Sequence, residues 1–280
     1  MALTWPVLLA VLLGALLHAG WNALVKSSSD KALDTALLNL FGSLLCMPLV
    51  AWLGWPPAQA WPWLAASVLI HIAYYVALSG AYRHGELGLT YPLMRGTAPL
   101  LVALWAALVL EEALSPLAWL GVLGICAGVL ALGLGRHAFD HPRAVQFALA
   151  NAVVIAGYTM VDALGVRATG NALQYVAALS LLDGWPFALL VFARRNGSVG
   201  GYLRRRWAFS LAGALASVGS YGVALWAMTQ ASVASVAALR ETSVLFAALL
   251  GVWLLGEVFT LRRAIGTCAI VSGVVALRLG

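Results

Sequence analysis

Two arginines lie inside long apolar runs, where a charged side chain is costly and needs an explanation. Arg95 and Arg240 each stand a few residues into such a run, and an unpaired charge at mid-depth of a bilayer costs roughly 2.5–3.5 kcal/mol on insertion scales. Two guanidinium groups that face one space would bind a carboxylate or a phosphate-type group through paired hydrogen bonds. The alternative is that each arginine pairs with a helix end or a neighbouring carboxylate and fixes helix packing.

Carboxylates in the apolar runs are candidates for proton exchange. Glu241 cannot neutralise Arg240 on one helix face, because adjacent residues point about 100° apart, but it can face another helix. Asp162 stands one turn from Tyr158, and Asp183 lies midway along the next run. A buried carboxylate there can exchange protons, or it can be held by hydroxyls or an arginine without titrating. Asp162 and Glu241 are the coupling candidates.

Polar and aromatic side chains also follow helical stripes in the first and third apolar runs. His18 and Asn22 are four residues apart with Trp21 beside them, and His71 and Tyr75 repeat the spacing. Such stripes suit a cavity that accepts both apolar and hydrogen-bonding parts of a ligand, although interhelical hydrogen bonds would also explain them. The candidate binding residues are Arg95, Arg240, His18, Trp21, Asn22, Tyr75, Tyr91 and Tyr158.

The sequence contains no motif typical of a catalytic, metal-binding or nucleotide-binding site. There is no C-x-x-C, G-x-S-x-G, H-E-x-x-H, P-loop or dinucleotide fingerprint in a suitable context. Cys46, Cys126 and Cys268 stand singly in apolar runs, as packing residues do. We expect no catalytic residue, no metal and no cofactor, and therefore no enzyme.

Composition defines the elements that must position these residues. The 280 residues are 63% hydrophobic and 9% charged, with a mean hydropathy of +0.94, whereas a soluble domain is about 45–50% apolar and about 25% charged. The bilayer must be the solvent for most of the chain. The net charge is +6, and apart from Arg95 and Arg240 the basic residues lie between or at the ends of the apolar runs, as in juxtamembrane segments, so nucleic acid is not an expected partner. The prediction is an integral protein of the bacterial cytoplasmic membrane.

Ten apolar runs are long enough to cross a bilayer as helices, which takes about 20 residues each. The fold class predicted is all-α, a polytopic membrane protein with ten transmembrane helices. The runs lie near 4–25, 33–53, 61–82, 89–110, 116–135, 145–167, 171–193, 207–229, 233–254 and 261–279.

An internal duplication relates the two halves. Residues 90–132 align with 235–277 without a gap, so that Arg95 falls on Arg240. The halves are assigned to 1–137 and 138–280. Five spans per half is an odd number, so the second repeat must be inverted relative to the first, an arrangement typical of secondary transporters with a substrate site between the repeats. Duplication without transport is the alternative. Matched pairs also include Glu112 with Glu257, Gly121 with Gly266, and Gly128 with Gly273.

Two glutamates precede predicted helix starts. Glu112 and Glu257 stand just before Ser115 and Thr260, which have the position of N-caps of the fifth and tenth helices. A structural role is therefore preferred for both glutamates. A face of small residues around Gly128 predicts close helix packing.

Five stretches carry a family resemblance. They are His18-Ala-Gly-Trp-Asn22, Tyr91-Pro-Leu-Met-Arg-Gly-Thr-Ala-Pro99, Leu110-Glu-Glu112, Leu239-Arg-Glu-Thr-Ser-Val244 and Leu255-Gly-Glu257. Together they resemble the drug/metabolite transporter superfamily, in particular its EamA-type ten-helix transporters. The resemblance implies a basket of helices whose central cavity is lined mainly by the first, third, fourth, sixth, eighth and ninth. It also implies transport of amino acids, sugars, nucleotide sugars, phosphorylated metabolites or drugs, often by exchange or proton coupling.

The function predicted is secondary active transport of a small anionic or zwitterionic metabolite, amino-acid-like or phosphorylated or phosphonate-like, by alternating access. The expected partners are that substrate, the lipid bilayer and a coupling proton or counter-substrate, and a homodimer is compatible with the sequence. An intramembrane enzyme acting on lipid-linked substrates and a non-transporting scaffold subunit are the alternatives.

Two arguments on orientation disagree. Twelve Lys and Arg residues fall on the face opposite both termini and only Arg167 and Arg278 on the other, which by the positive-inside rule places the termini outside the cytoplasm. The family resemblance implies termini inside.

Overall fold

The computed structural model describes residues 3–26, 28, 30–84, 87–133, 141–195, 199–255 and 260–280. In this part of the chain all regular structure is helical, which confirms the all-α prediction. The first half contains α1 (Trp5–Lys26), α2 (Lys31–Leu53), a 3₁₀ turn (Ala58–Ala60), α3 (Trp61–His84), α4 (Leu87–Val109) and α5 (Pro116–Gly133). The second half contains α6 (Pro142–Thr169), α7 (Ala172–Ala193), α8 (Val199–Gln230), α9 (Val233–Arg240), α10 (Thr242–Leu255) and α11 (Leu261–Leu279).

The helices make ten spans, because α9 and α10 follow one another along a single span. Within the described ranges, eight segments are long and apolar enough to cross a bilayer by length and composition, and Val233–Leu250 is one of them. The other two spans, α3 and α11, pack along α6 and α5. The predicted start of the eighth helix near 207 was too late. Arginines at 204–206 are good helix formers, and the helix extends back to Val199.

Helix packing follows the duplication. α1 packs along α8 and α3 along α6, while α2 packs along α7 and α5 along α11. We match α1–α5 in order with the five spans of the second half. The α1–α8 contact then corresponds to the α6–α3 contact, whereas the α2–α7 and α5–α11 contacts each correspond to themselves. The contact of α4 with α6 likewise corresponds to the contacts of α9 and α10 with α1. This is the contact pattern of two repeats related by a two-fold axis.

The α5–α11 contact is made through glycines. A Cβ added to Gly128 would lie 2.7 Å from the carbonyl oxygen of Gly266, and one added to Gly273 would lie 2.7 Å from that of Gly121. The two backbones therefore touch, and the predicted small-residue packing face is confirmed.

We expect Gly128→Ala to destabilise the fold, because the new methyl group meets backbone atoms that cannot move aside. Overpacking of this kind costs about 1–3 kcal/mol. Gly124→Ala is the matched control on the same helix, since its Cβ would lie 3.4 Å from the Cα of Gly273, near ordinary contact. The fraction of protein that stays monodisperse after heating in detergent measures the difference. Equal losses for both variants would contradict this packing.

Helix capping agrees with the sequence for two residues and differs for a third. The hydroxyl of Ser115 accepts from the N–H of Ala118 at 3.0 Å, and that of Thr260 accepts from the N–H of Arg263 at 3.3 Å. Both are therefore N-caps, as predicted. Glu257 lies outside the described residues.

Glu112 caps a different helix from the one it precedes. Its Oε2 accepts from the backbone N–H of Val233 at 2.8 Å, at the start of α9, and its Oε1 accepts from Nη2 of Arg167 at 2.6 Å. Nη2 of Arg167 also donates to the carbonyl oxygen of Met228 at 2.9 Å. A carboxylate at a helix N-terminus is favoured by the helix dipole, so this group joins α6, α8 and α9 to the α4–α5 connection.

The opposite end of the bundle holds two ion pairs between the repeats. Asp30 lies 2.8 Å from Arg195, and Asp34 lies 2.7 Å from Arg206. Both pairs connect α2 or its N-cap to the region where α7 ends and α8 begins. Part of the predicted basic surface is therefore engaged in repeat–repeat contacts.

Candidate functional site

A small cavity of about 10 Å³, close to what a single water molecule needs, lies between α4, α6 and the end of α9. Ligand cavities for small molecules usually measure about 300–1,000 Å³, so the helices would have to separate to admit a metabolite. Its lining residues are Arg95, Ala98, Pro99, Val102, Ile155, Tyr158, Thr159, Ala237, Arg240 and Glu241.

A buried ion pair crosses this cavity from one repeat to the other. Nε of Arg95 lies 2.8 Å from Oε2 of Glu241, and the two side chains are 10% and 5% exposed. Nη2 of Arg95 also reaches the hydroxyl of Ser243 at 3.5 Å. Glu241 thus faces another helix, as the sequence allowed. Because an unpaired charge is costly in a low dielectric, the pair ties α4 to the α9–α10 junction.

The junction itself is a tightened helical turn. The N–H of Glu241 bonds to the carbonyl oxygen of Ala238 at 3.0 Å, and the N–H of Val244 bonds to that of Glu241 at 3.0 Å. Such i→i+3 bonds are of the 3₁₀ type. They divide the ninth span, which the sequence predicted as one continuous helix, and they set the direction of the Glu241 side chain.

Arg240 borders the same cavity in a different environment. Its Cζ lies 5.2 Å from the ring centroid of Tyr221, a cation–π contact. Among the residues whose placement is described, no carboxylate forms an ion pair with it. The two arginines therefore meet at one cavity, as the first interpretation of the sequence required, but only Arg95 has a counter-charge in contact.

Asp162 connects to this site through Tyr221. The carboxylate is completely buried on α6. Its Oδ1 accepts from the hydroxyl of Tyr175 at 2.9 Å, and its Oδ2 accepts from the hydroxyl of Tyr221. Because the ring of Tyr221 also contacts Arg240, a continuous chain of contacts runs from the cavity to this carboxylate.

His71 lies on the other side of the cavity wall. Its ring stacks on Tyr158 with 4.6 Å between centroids, and its Nδ1 lies 2.9 Å from the carbonyl oxygen of Ser67. Asp162 and Asp183 both lie near it. The structure therefore places both acidic residues of α6 and α7 near one imidazole.

The stripe on α1 is only partly directed at the cavity. His18 lies within electrostatic range of Arg95 and Arg240, and its ring packs edge-on against Trp21 at 5.1 Å. Asn22 donates from Nδ2 to the carbonyl oxygen of His18 at 2.7 Å, so its amide bonds to its own helix. The indole N–H of Trp21 is buried and finds no acceptor among the described residues.

Two predicted tyrosines complete the set. Tyr91 lies one turn before Arg95 and within electrostatic range of Arg95 and Glu241. The side chain of Tyr75 lies outside the described part of the structure.

Comparison with known proteins agrees with this arrangement. A model of the EamA-like transporter family matches residues 5–134 and 142–279. The chain belongs to the EamA-like transporter family. The suspected relationship is thereby confirmed, and with it the fold class of ten helices in two inverted repeats. This EamA-like chain is an integral membrane protein.

A solved structure supports the fold of the EamA-like chain. It is described only as "Crystal structure of protein", and it superposes with a TM-score of 0.75 at 19% sequence identity. The match covers 98% of this chain and 95% of the other. At this identity the likeness concerns the fold alone. No curated protein matches the sequence.

Two neighbours of Asp162 in this EamA-like protein were missed from the sequence. Tyr175 and Tyr221, the donors to Asp162, come from α7 and α8, and no local spacing links residues on separate helices. One signal was present at Gly165, where a Cβ would lie 2.4 Å from the ring of Tyr175. A small residue one turn from a buried carboxylate on the same helix indicates that a large side chain approaches there.

Proposed function

We propose that this EamA-like protein is a secondary active transporter of a small anionic or zwitterionic metabolite in a bacterial cytoplasmic membrane. The observation that carries the proposal is that corresponding arginines of the two repeats, Arg95 and Arg240, border a single cavity. A guanidinium next to a cavity in an apolar protein interior suits a carboxylate or phosphate-type group.

Other residues in and around the cavity suit the rest of such a substrate. Tyr158 offers a hydroxyl and a ring face, Tyr91 lies close to the Arg95–Glu241 pair, and His18 lies near both arginines. The residues Ala98, Val102 and Ala237 supply apolar surface. Few polar groups within an apolar lining are typical of small-molecule sites.

Alternating access follows from the repeats. Two equivalent halves can pack in two ways with the two membrane faces exchanged. Because the observed cavity is smaller than usual ligand sites, the conformation is a closed one, and admission of substrate needs movement of α4 or α9 away from α6.

Transport in purified vesicles tests the proposal. Vesicles that contain the protein should accumulate or exchange one or more labelled amino acids, carboxylates or phosphate esters, and protein-free vesicles of the same lipid should not. Absence of uptake, exchange and ligand stabilisation across the whole panel would contradict transport and favour a scaffold. Turnover of a lipid-linked compound in detergent would favour an enzyme.

Asp162 is the preferred proton-coupling group, because Glu241 is engaged with Arg95. Asp162→Asn keeps the shape and a hydrogen-bonding group for Tyr175 and Tyr221 but cannot take up a proton. We expect accumulation driven by a pH gradient to fall at least about tenfold, while exchange of labelled for unlabelled substrate, which needs no net proton movement, continues. Equal loss of both activities would show a structural role instead, and preserved pH-driven accumulation would exclude Asp162 from coupling.

A further inference from the structure

The two repeats differ at the cavity although their arginines correspond. Arg240 is followed by Glu241, whereas Arg95 is followed by Gly96. One carboxylate therefore serves two guanidinium groups, and the duplication alone does not determine which arginine it neutralises.

The backbone positions of Gly96 and Glu241 determine which arginine the carboxylate of Glu241 neutralises. At Gly96, in α4, a Cβ would lie 2.6 Å from Cγ of Leu130 and 3.2 Å from the carbonyl oxygen of Cys126. A side chain at this position would point into α5 and not into the cavity. Glu241 lies instead in the 3₁₀ turn between α9 and α10, where its carboxylate reaches Arg95 of the other repeat.

The two guanidinium groups are left in unequal states. Arg95 is buried, in contact with a carboxylate and within reach of Ser243. Arg240 is only partly buried and contacts the ring of Tyr221, whose face offers a weak attraction but no formal charge. The residues lining the cavity carry two positive charges and one negative charge, which leaves one positive charge for a ligand.

We propose that the cavity binds its ligand through one monoanionic group held by Arg240, and that Glu241 excludes dianions such as phosphate monoesters by occupying Arg95. This inference rests on the proposed function, since it takes the cavity as the substrate site. A monocarboxylate satisfies the single free guanidinium. A dianion would bring a second negative charge against the carboxylate of Glu241, and like charges at close range reject a ligand strongly.

Two probes that differ only in their acidic group test the proposal. Benzoate carries one negative charge, and phenyl phosphate carries two at a pH well above its second pKa of about 6. Stabilisation of the purified protein against heat, measured over a range of probe concentrations, gives an apparent affinity for each. The wild type should prefer benzoate, and Glu241→Gln should shift the ratio toward phenyl phosphate by at least about tenfold. Glu111 is an exposed carboxylate outside the cavity, so Glu111→Gln is the control and should leave the ratio at its wild-type value.

A double variant provides a second test in case Glu241→Gln folds poorly. Arg95→Gln with Glu241→Gln removes both charges of the pair together, leaves Arg240 as the cation, and should still prefer benzoate. No stabilisation of the wild type by benzoate, or a preference for phenyl phosphate in the wild type or the double variant, would overturn the proposal. Transport assays separate this failure from failure of the proposed function. Vesicles that transport, together with an unchanged ratio in Glu241→Gln, would overturn this inference alone. Absence of transport would overturn the proposed function, and the binding preference of the cavity can still be measured with the two probes.

Discussion

Arg95→Ala should lower the free energy of unfolding by about 3–5 kcal/mol, because removal of one partner leaves a buried charge uncompensated. The orphaned group is the carboxylate of Glu241, which is 5% exposed and has Arg95 at 2.8 Å in the native protein. Apparent melting temperature and the yield of monodisperse protein in detergent measure the effect. The loss should exceed that of most single substitutions, which cost about 0.5–3 kcal/mol.

The matched control is Arg195→Ala. It breaks the Asp30–Arg195 pair, which is also 2.8 Å long but whose side chains are 23% and 40% exposed. Exposed pairs contribute about 0–1 kcal/mol, so the melting temperature should change little. Arg95→Ala combined with Glu241→Ala should recover part of the loss, since no charge is then stranded. Equal effects of Arg95→Ala and Arg195→Ala would show that water reaches the Arg95–Glu241 pair.

Arg240→Gln should weaken substrate binding by about 10–100-fold, the range for a lost charge-assisted hydrogen bond to an acidic group. Its fold should be retained, because in the described structure Arg240 contributes a contact with the Tyr221 ring and no ion pair. Equilibrium binding of the metabolite identified in vesicles measures the change, and the melting temperature without ligand reports the fold.

Arg240→Lys separates charge from geometry. It keeps the positive charge but presents a point charge instead of a planar fork, so its affinity should lie between those of the wild type and Arg240→Gln. Unchanged affinity in Arg240→Gln would remove Arg240 from the binding site. An affinity loss accompanied by an equal fall in melting temperature would assign it to packing.

Much of the fold was predictable because a bilayer imposes simple rules. Spans need about 20 apolar residues, and matched Arg and Gly positions in a gapless alignment revealed the duplication. Ser115 and Thr260 were found as caps because capping depends on local chain chemistry. The meeting of Arg95 and Arg240 was also predictable, since inverted repeats bring corresponding residues to the midplane.

The pairings inside the site were not predictable, because they depend on the relative positions of separate helices. The turn at Glu241 contains neither proline nor glycine, so nothing in its sequence marked a division of the ninth span. The carboxylate of Glu112 lies beside one helix in sequence and caps another in space. Asn22 matched a cavity stripe by spacing, yet its amide bonds to the carbonyl of His18.

The glycine contact between α5 and α11 limits how the two halves can move. These helices come from different repeats, and the glycines that bring their backbones together lie at both ends of the crossing, Gly128 with Gly266 and Gly121 with Gly273. Sliding one helix along the other would drive carbonyl oxygens into neighbouring side chains, whereas a small rotation about the line that joins these two contacts keeps both close approaches. If the repeats rock during transport, we therefore expect them to pivot on this seam, so that the walls farthest from it move most.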